Sequence, residues 1–193
     1  MDITYNKIYN KIRDKSIPDS EIIWDIEYAK CNDPEFDINW CIGNWTLLIH
    51  TIVKNRKELV KYLLMFPGIN VNKYRDGYTT LYYACCYDSI YSLKLLLSHR
   101  DIDVNIQTKY GWTGLHCACR HYHIEIVKEL LLDARINTLF RDRWERSARD
   151  LAIKEGCLEI ANMLKIVQYT PLLRIPNEIL IHDIIRMIIE EYM

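Results

Sequence analysis

Residues 77–84 read Gly-Tyr-Thr-Thr-Leu-Tyr-Tyr-Ala, and residues 111–118 read Gly-Trp-Thr-Gly-Leu-His-Cys-Ala. The second stretch begins 34 residues after the first and keeps Gly, Thr, Leu and Ala in the same places. Weaker copies of the pattern occupy residues 44–51 and 145–152, at the same spacing to within one residue. A fixed period of this length predicts several stacked copies of one small structural unit.

Each copy is followed by a second apolar segment. Fifteen residues after the leucine position of each copy lies a further leucine, namely Leu63, Leu96, Leu130 and Leu164. Apolar residues recur around these leucines at helical spacing, so each unit predicts two short helices. Turn-prone residues, such as those at 70–72 and 103–105, lie between the units and predict connecting hairpin loops.

The repeat resembles a known family. A period near 33 residues, with Gly-x-Thr-x-Leu-His-x-Ala opening the first helix, resembles the ankyrin repeat. The resemblance implies an all-α solenoid of helix-turn-helix units with hairpin loops, in which the hydroxyl groups of Thr46, Thr79, Thr113 and Ser147 cap the first helices. The predicted domains are divergent N-terminal capping helices at 1–36, ankyrin repeats at 37–68, 69–101, 102–135 and 136–169, and an F-box-like C-terminal helix at 170–193.

The turn between the paired helices is a further test of the pattern. The ankyrin family favours Gly there, because Gly adopts positive φ without steric cost. The corresponding residues here are Asn55, Asp88, Tyr122 and Gly156. Asn, Asp and Gly tolerate the left-handed region, whereas Tyr does so rarely. The sequence predicts this turn at three positions and leaves the geometry at Tyr122 open.

Composition argues against several classes of function. The chain has 25 Lys and Arg against 26 Asp and Glu, a net charge of −1, so it has no basic field for nucleic acid. No apolar run approaches the ~18 residues of a membrane span. The seven cysteines are odd in number and the N-terminus lacks a signal-peptide pattern, which together indicate a reducing compartment. We therefore expect a cytoplasmic protein without a nucleic-acid or membrane partner.

One cluster has the spacing of metal ligands. Cys117 with His121, and Cys119 with His123, are each four residues apart on a predicted helix, as zinc ligands can be. The two pairs face different sides of that helix, and each residue already fits a packing position of the repeat. No glycine-rich phosphate loop or nucleophile motif occurs. The sequence predicts no enzyme, and no catalytic, cofactor-binding or metal site.

The hairpin tips are the candidate target-binding surface. Ankyrin stacks bind proteins with these tips and with the inner-helix face. The tips here contain Arg and aromatic residues, which binding hot spots favour. The predicted target-binding residues are Tyr74, Arg75, Tyr110, Trp112, Arg143 and Trp144. An alternative for Trp112 is that it covers the neighbouring loop.

The C-terminal stretch differs from the repeats. Pro171 and Pro176 interrupt the repeat rhythm, and the apolar residues after them spread over about half of a helix circumference. Such a helix must be covered from two directions, which predicts a second protein surface. Residues 175–184 read Ile-Pro-Asn-Glu-Ile-Leu-Ile-His-Asp-Ile and resemble the opening of an F-box, with Ile175 in place of the usual Leu.

Ankyrin repeats followed by a shortened F-box resemble the ankyrin/F-box-like (PRANC-type) proteins of poxviruses. The resemblance implies that the repeats bind a host protein in the host cytoplasm or nucleus, and that the tail recruits the Skp adaptor of a cullin-RING (SCF) ubiquitin ligase. The adaptor-facing residues would be Ile175, Pro176, Ile179, Leu180, Ile184 and Ile188. The alternative is a module that masks a host factor, for example in innate immune or NF-kappa-B signalling, without recruiting a ligase.

Overall fold

The structure is a computed structural model that describes residues 2–74 and 76–169. The described residues form two compact units, one within Met1–Asp103 and one within Val104–Met193. The predicted adaptor-facing residues Ile175, Pro176, Ile179, Leu180, Ile184 and Ile188 lie outside the described residues, as does Arg75. No helix in the described ranges is both long enough and apolar enough to cross a membrane.

The first unit contains six helices and two short strands among its described residues. In chain order they are α1 (Asp2–Arg13), α2 (Asp19–Asn32), β1 (Cys41–Ile42), β2 (Trp45–Thr46), α3 (Leu47–Val53), α4 (Lys57–Leu64), α5 (Thr80–Cys86) and α6 (Ile90–Leu97). Helix α1 packs on α2, α3 on α4, and α5 on α6. The second unit contains α7 (Gly114–Arg120), α8 (Ile124–Leu131), α9 (Ala148–Lys154) and α10 (Leu158–Tyr169), with α7 packed on α8 and α9 on α10.

The fold is mostly helical, with one small sheet that the all-α prediction did not include. Strands β1 and β2 pair antiparallel, with Cys41 opposite Thr46 and Ile42 opposite Trp45. Only two residues connect the strands, and the first, Gly43, has a φ of 65°. Tight two-residue hairpins need positive φ at this place, and Gly supplies it at little cost. The sheet lies in the connection before α3, and among the described residues one further isolated bridge joins Arg141 and Ser147.

The first helix of each repeat pair, namely α3, α5, α7 and α9, begins at a hydroxyl cap, as predicted. The side-chain oxygens accept hydrogen bonds from the backbone N–H three residues on, at 3.2 Å for Thr46, 3.1 Å for Thr79, 3.4 Å for Thr113 and 3.2 Å for Ser147. In the second helices, Leu63, Leu96, Leu130 and Leu164 are fully buried and form the apolar side of each pair. The hydroxyl caps and the buried leucines therefore both stabilise the helix-turn-helix unit of each repeat.

The four turns within the repeat pairs, α3/α4 to α9/α10, are all left-handed, including the one left open by the sequence. The φ angles are 54° at Asn55, 51° at Asp88, 60° at Tyr122 and 83° at Gly156. After Tyr122, the backbone N–H of His123 donates to the carbonyl of Ala118 at 3.1 Å. The other three turns make the equivalent bond at 2.9 to 3.0 Å. The packed helix pair imposes this turn on Tyr122 although Tyr disfavours it.

We expect Tyr122→Gly to stabilise the protein by up to about 1 kcal/mol, because Gly removes the steric cost of a left-handed backbone. The Tyr122 side chain is 46% exposed, so little packing is lost. Urea unfolding followed by circular dichroism should show a higher midpoint. Tyr87→Gly is the matched control, since Tyr87 is also exposed and ends a helix at a φ of −102°. A lower midpoint for Tyr122→Gly would contradict the explanation.

Arg56 joins the N-terminal helices to the repeat that follows them. It directly precedes α4, and its side chain is buried, with the residue 8% exposed. Its guanidinium donates to carbonyl oxygens at the end of α1 and in the loop after it, and to one carboxylate. These partners are Lys11 at 2.9 Å, Ile12 at 3.2 Å, Asp14 at 2.5 Å, Ile17 at 2.7 Å and the Asp19 carboxylate at 3.0 Å. One side chain thus binds several carbonyls at and after the end of a helix, where intrahelical donors are no longer available.

Candidate functional site

Two hairpin loops of the second unit, residues 107–112 and 141–146, lie against each other. In the first loop, the backbone N–H of Thr108 donates to the carbonyl of Trp112 at 2.8 Å, and that of Gly111 to the carbonyl of Thr108 at 2.8 Å. The Gln107 side-chain amide donates to the carbonyls of Gly111 at 2.7 Å and Arg141 at 3.1 Å. The first loop is therefore closed on itself and also bonded to the second.

The contact between the two loops depends on Gly111. Its φ is 80°, and a Cβ placed there would be 2.8 Å from the Cα of Asp142. Beside it, the backbone N–H of Arg143 donates to the carbonyl of Tyr110 at 2.9 Å. No side chain fits between the backbones at this distance, so the repeated Gly has a structural reason beyond its backbone freedom.

Asp142 organises the second loop from inside. Its Oδ1 accepts the backbone N–H groups of Trp144 at 2.9 Å and Arg146 at 3.0 Å. Its Oδ2 accepts Arg146 Nε at 2.9 Å, Arg146 Nη2 at 2.6 Å and Trp112 Nε1 at 3.2 Å. Burial raises the pKa of Asp142, but the hydrogen bonds from Arg146 and Trp144 outweigh burial and leave the pKa below its usual value. The group is therefore an ionised, fully bonded carboxylate.

Outside this carboxylate lies a group of aromatic and cationic side chains, which we call the tip cluster: Lys109, Tyr110, Arg143, Trp144 and Arg146. The rings of Tyr110 and Trp144 are stacked, with centroids 6.4 Å apart and planes at 16°. The Arg143 guanidinium lies 5.5 Å from the Tyr110 centroid and 5.3 Å from that of Trp144. Trp144 is 56% exposed and Tyr110 37%, so the cluster presents aromatic surface to solvent.

Comparison with known proteins places the chain in a family. The sequence model of the family "Ankyrin repeats (3 copies)" matches residues 25–108 and again residues 91–170. The chain belongs to the ankyrin-repeat family. Ankyrin repeats are protein-protein interaction modules, which agrees with an exposed aromatic surface on the loops. No catalytic family is indicated by this match.

Individual relatives share the repeats over limited lengths. The ankyrin repeat protein YahD of Escherichia coli (strain K12) is 31% identical over 117 residues, which are 58% of this chain and 57% of YahD. The mouse (Mus musculus) "SMC5-SMC6 complex localization factor protein 1" is 40% identical over 55 residues, 28% of this chain and 5% of that protein. Alpha-latrocrustotoxin-Lt1a of Latrodectus tredecimguttatus is 27% identical over 106 residues, 55% of this chain and 7% of the toxin. The chain spans 57% of the length of YahD, but only 5% and 7% of the lengths of the mouse protein and the toxin.

The fold brings together three of the predicted target-binding residues of this ankyrin-repeat protein. Tyr110, Arg143 and Trp144 meet in the tip cluster. Trp112 is half-buried, with its indole N–H on Asp142 at 3.2 Å and the Arg120 guanidinium 5.7 Å from its ring, so its first role is to brace the loop. Tyr74 is exposed and belongs to the other unit. Target binding by any of these residues stays a prediction.

Arg146 and the organising role of Asp142 were not predicted from the sequence. Arg146 lies 4.7 Å from the Trp144 centroid while it also pairs with Asp142. In an Asx turn, the side chain of an Asp accepts the backbone N–H two residues further on, as Asp142 accepts that of Trp144. An Asp in a predicted loop is a local sequence signal for such a turn. The burial of the carboxylate between two loops was not, because it depends on contacts about 30 residues apart in the chain.

The residues with zinc-ligand spacing, and the nearby His116, lie on and beside helix α7. His116 is buried, and its Nδ1 lies 2.9 Å from Thr113 Oγ1 within a capping box. Burial lowers the pKa of His116. The rings of His121 and His123 stack with centroids 5.9 Å apart, and Cys117 and Cys119 are buried. Within residues 2–74 and 76–169, no group of His, Cys, Asp and Glu side chains has the arrangement needed to hold a metal ion.

His50 gives the first unit a predictable pH dependence. It is 4% exposed, lies 4.3 Å from the Tyr9 ring and 5.0 Å from the Trp45 ring, and burial lowers its pKa from 6.5 to about 4. The folded state therefore prefers neutral imidazole, so its contribution is complete above the unfolded pKa and is lost as pH falls from about 6.5 toward 4. We expect the free energy of unfolding to fall by about 2 kcal/mol at pH 5 relative to pH 7.5 from this residue.

His50→Gln tests this pH dependence, because Gln is neutral across the range. Urea unfolding of both proteins at the two pH values should show a smaller loss in the variant, with the remainder due to His116 and His121, whose pKa values are also lowered by burial. An unchanged difference between the two pH values would contradict the assignment to His50.

Proposed function

We propose that this ankyrin-repeat protein is a viral adaptor that joins a host protein to the Skp subunit of a cullin-RING ubiquitin ligase. The repeats would hold the host protein, and the C-terminal segment would hold Skp. The observation that carries the binding half of the proposal is the exposed tip cluster on a rigidly bonded pair of loops. We place this activity in the host cytoplasm or nucleus.

The tip cluster has the properties of a binding hot spot. Trp, Tyr and Arg are the residues enriched at such sites, and here they are already packed against one another. The loops beneath them are held by side-chain and backbone hydrogen bonds. Little conformational entropy is therefore lost when a partner binds. These features support recognition of a protein by this face.

The ligase half of the proposal rests on the sequence of the tail. Residues 175–184 resemble the opening of an F-box, and the candidate contact residues are Ile175, Pro176, Ile179, Leu180, Ile184 and Ile188. Burying five or six such side chains is worth ~8–18 kcal/mol gross at ~1.5–3 kcal/mol each. Association costs ~4–15 kcal/mol, so the tail alone has a narrow surplus. We therefore expect residues near the last repeat to add contacts with Skp.

The proposed mechanism uses proximity. If the target and the ligase are held on one chain, ubiquitin transfer becomes effectively intramolecular and speeds up without any catalytic group on the adaptor. The side chains of this chain would contribute binding and orientation only. The reaction itself would belong to the ligase and its ubiquitin-carrying partner.

A pull-down with purified Skp adaptor tests the ligase half. The intact chain should retain Skp, and deletion of residues 170–193 should abolish retention. Leu180→Asp should also abolish it, because an aspartate at the contact face must be desolvated. His182→Asp is the matched control, since His182 is a neighbouring polar residue outside the predicted contact set, and it should retain Skp. Failure of the intact chain to retain Skp would refute this half of the proposal.

The alternative is a binding module that masks a host factor without recruiting a ligase. It is favoured by the tip cluster, which lies wholly within the repeats, and by the ankyrin family match, which ends at residue 170. Affinity capture followed by mass spectrometry, on the intact chain and on the chain lacking residues 170–193, separates the two functions. Capture of the same host protein by both, with no ligase subunit on either, would favour masking.

A further inference from the structure

We infer that the tip cluster recognises an acidic segment of the target protein, with Arg143 as the central contact to its carboxylates. This inference rests on the proposed function, because it names the chemistry of the partner that the repeats would hold. It follows from the placement of Arg143, from the local charge and from the organisation of the aromatic rings.

Arg143 is held in place without an acidic partner. Its guanidinium lies over both the Tyr110 and the Trp144 rings, at 5.5 and 5.3 Å from their centroids. Among the ion pairs of the described residues, none involves Arg143. Aromatic contacts fix the position of a guanidinium but satisfy none of its five N–H donors. The side chain is therefore preorganised to donate to the oxygens of a carboxylate.

The local charge favours an anionic partner. Loops 107–112 and 141–146 contain four basic residues, Lys109, Arg141, Arg143 and Arg146, against two acidic ones, Asp142 and Glu145. The two loops therefore carry a net charge of +2, or +1 when Asp150, 3.8 Å from Arg141, is included, whereas the whole chain has a net charge of −1. Asp142 is directed inward and already accepts two hydrogen bonds from the Arg146 guanidinium. Of the two acids, only Glu145 stands exposed to oppose an incoming carboxylate.

The arrangement favours a protein over a single-stranded nucleic acid. Nucleic-acid binding needs a basic groove along the phosphate backbone and open aromatic faces for successive bases. Here the two rings stack on each other and Arg143 lies over both. The cluster is a compact spot of two loops on a chain with balanced charge, and such a spot fits a short acidic stretch of polypeptide.

Fluorescence anisotropy with labelled peptides tests the inference on the full chain. The probes are an alternating Glu-Ser decapeptide, a Gln-Ser decapeptide of the same length, a phosphoserine version of the latter and a decauridylate. The Glu-Ser peptide should bind about tenfold or more tightly than the Gln-Ser peptide, and added salt should weaken binding. Tighter binding of the phosphoserine peptide than of the Glu-Ser peptide would also support recognition of anionic oxygens. It would show that the preferred oxygens belong to a phosphate group.

Variants connect the binding to Arg143. Arg143→Gln should weaken the Glu-Ser complex about tenfold, and Arg143→Lys less, since lysine keeps the charge but loses the planar donor fork. Arg100→Gln is the matched control, an exposed arginine of the other unit, and should have no effect. Equal binding of the Glu-Ser and Gln-Ser peptides, an unaffected Arg143→Gln variant, or tightest binding to decauridylate would overturn the inference. None of these results would alter Skp retention, so the two proposals fail separately.

Discussion

Replacing Arg56 with Ala should lower the free energy of unfolding by about 3–5 kcal/mol, the range for removing one partner of a buried, hydrogen-bonded charge. The loss has a specific physical cause. Four carbonyl oxygens, from Lys11 to Ile17, and the Asp19 carboxylate would each lose a hydrogen bond from Arg56. The Lys11 and Asp14 carbonyls and the Asp19 carboxylate would keep one backbone N–H donor each, at 3.2, 3.2 and 3.3 Å. The bond to the Ile12 carbonyl is buried, and the other four are part-buried. All of these bonds lie within the first unit, so we expect the first unit of the variant to unfold at a lower urea concentration than the second.

Urea unfolding followed by circular dichroism measures the loss, and hydrogen exchange of the α1 amides locates it. Arg56→Lys is the informative second variant, because it keeps the charge but a single ammonium cannot reach all five acceptors. It should fall between the wild type and Arg56→Ala. Arg100→Gln provides the surface control, since the Arg100 side chain is almost wholly exposed. A change of less than about 1 kcal/mol for Arg56→Ala would show that solvent already reaches these carbonyls.

Asp142→Ala should be the next most damaging change, with a loss of about 2–4 kcal/mol in the free energy of unfolding. It would leave the Trp112 indole N–H and two backbone N–H groups without an acceptor, and Arg146 without its carboxylate. The estimate is below that for Arg56 because Arg146 is partly exposed and water can replace some of its bonds. The tip cluster should also lose its arrangement, since the Asp142 carboxylate fixes the backbone under Trp144.

Asp142→Asn measures the contribution of the negative charge of Asp142 separately from that of its side-chain shape. Asn keeps an acceptor for the backbone N–H groups, so it should cost less than Ala and should keep more of the Trp144 fluorescence signal of the folded loop. The lowered pKa of Asp142 also predicts how its contribution to stability changes with pH. Its contribution to stability is present above the unfolded pKa of about 3.9 and is lost as pH falls through the lower folded value. Wild type and Asp142→Asn should therefore converge in stability in strong acid, and a gap that widens there would contradict the assignment.

Local sequence predicted the features that depend on neighbours within a few residues. The hydroxyl caps at Thr46, Thr79, Thr113 and Ser147 were predictable, because a cap joins a side chain to a backbone N–H only three residues away. The ankyrin repeat itself followed from a period that recurs in the chain. The candidate residues Tyr110, Arg143 and Trp144 followed from their type and their place in loops.

Tertiary structure decided what depends on residues far apart in sequence. Tyr122 adopts a left-handed turn because the packed helices on both sides require it, although its own preference opposes it. Trp112 turns toward Asp142, some 30 residues away, which makes it a brace for the loop. Asp142 and Arg56 look like ordinary polar residues in sequence and become buried centres of hydrogen bonding only when separate segments meet. The sequence by itself therefore determined the repeating unit and its caps, whereas contacts between distant segments determined which charges are buried and which aromatic side chains are left for a partner.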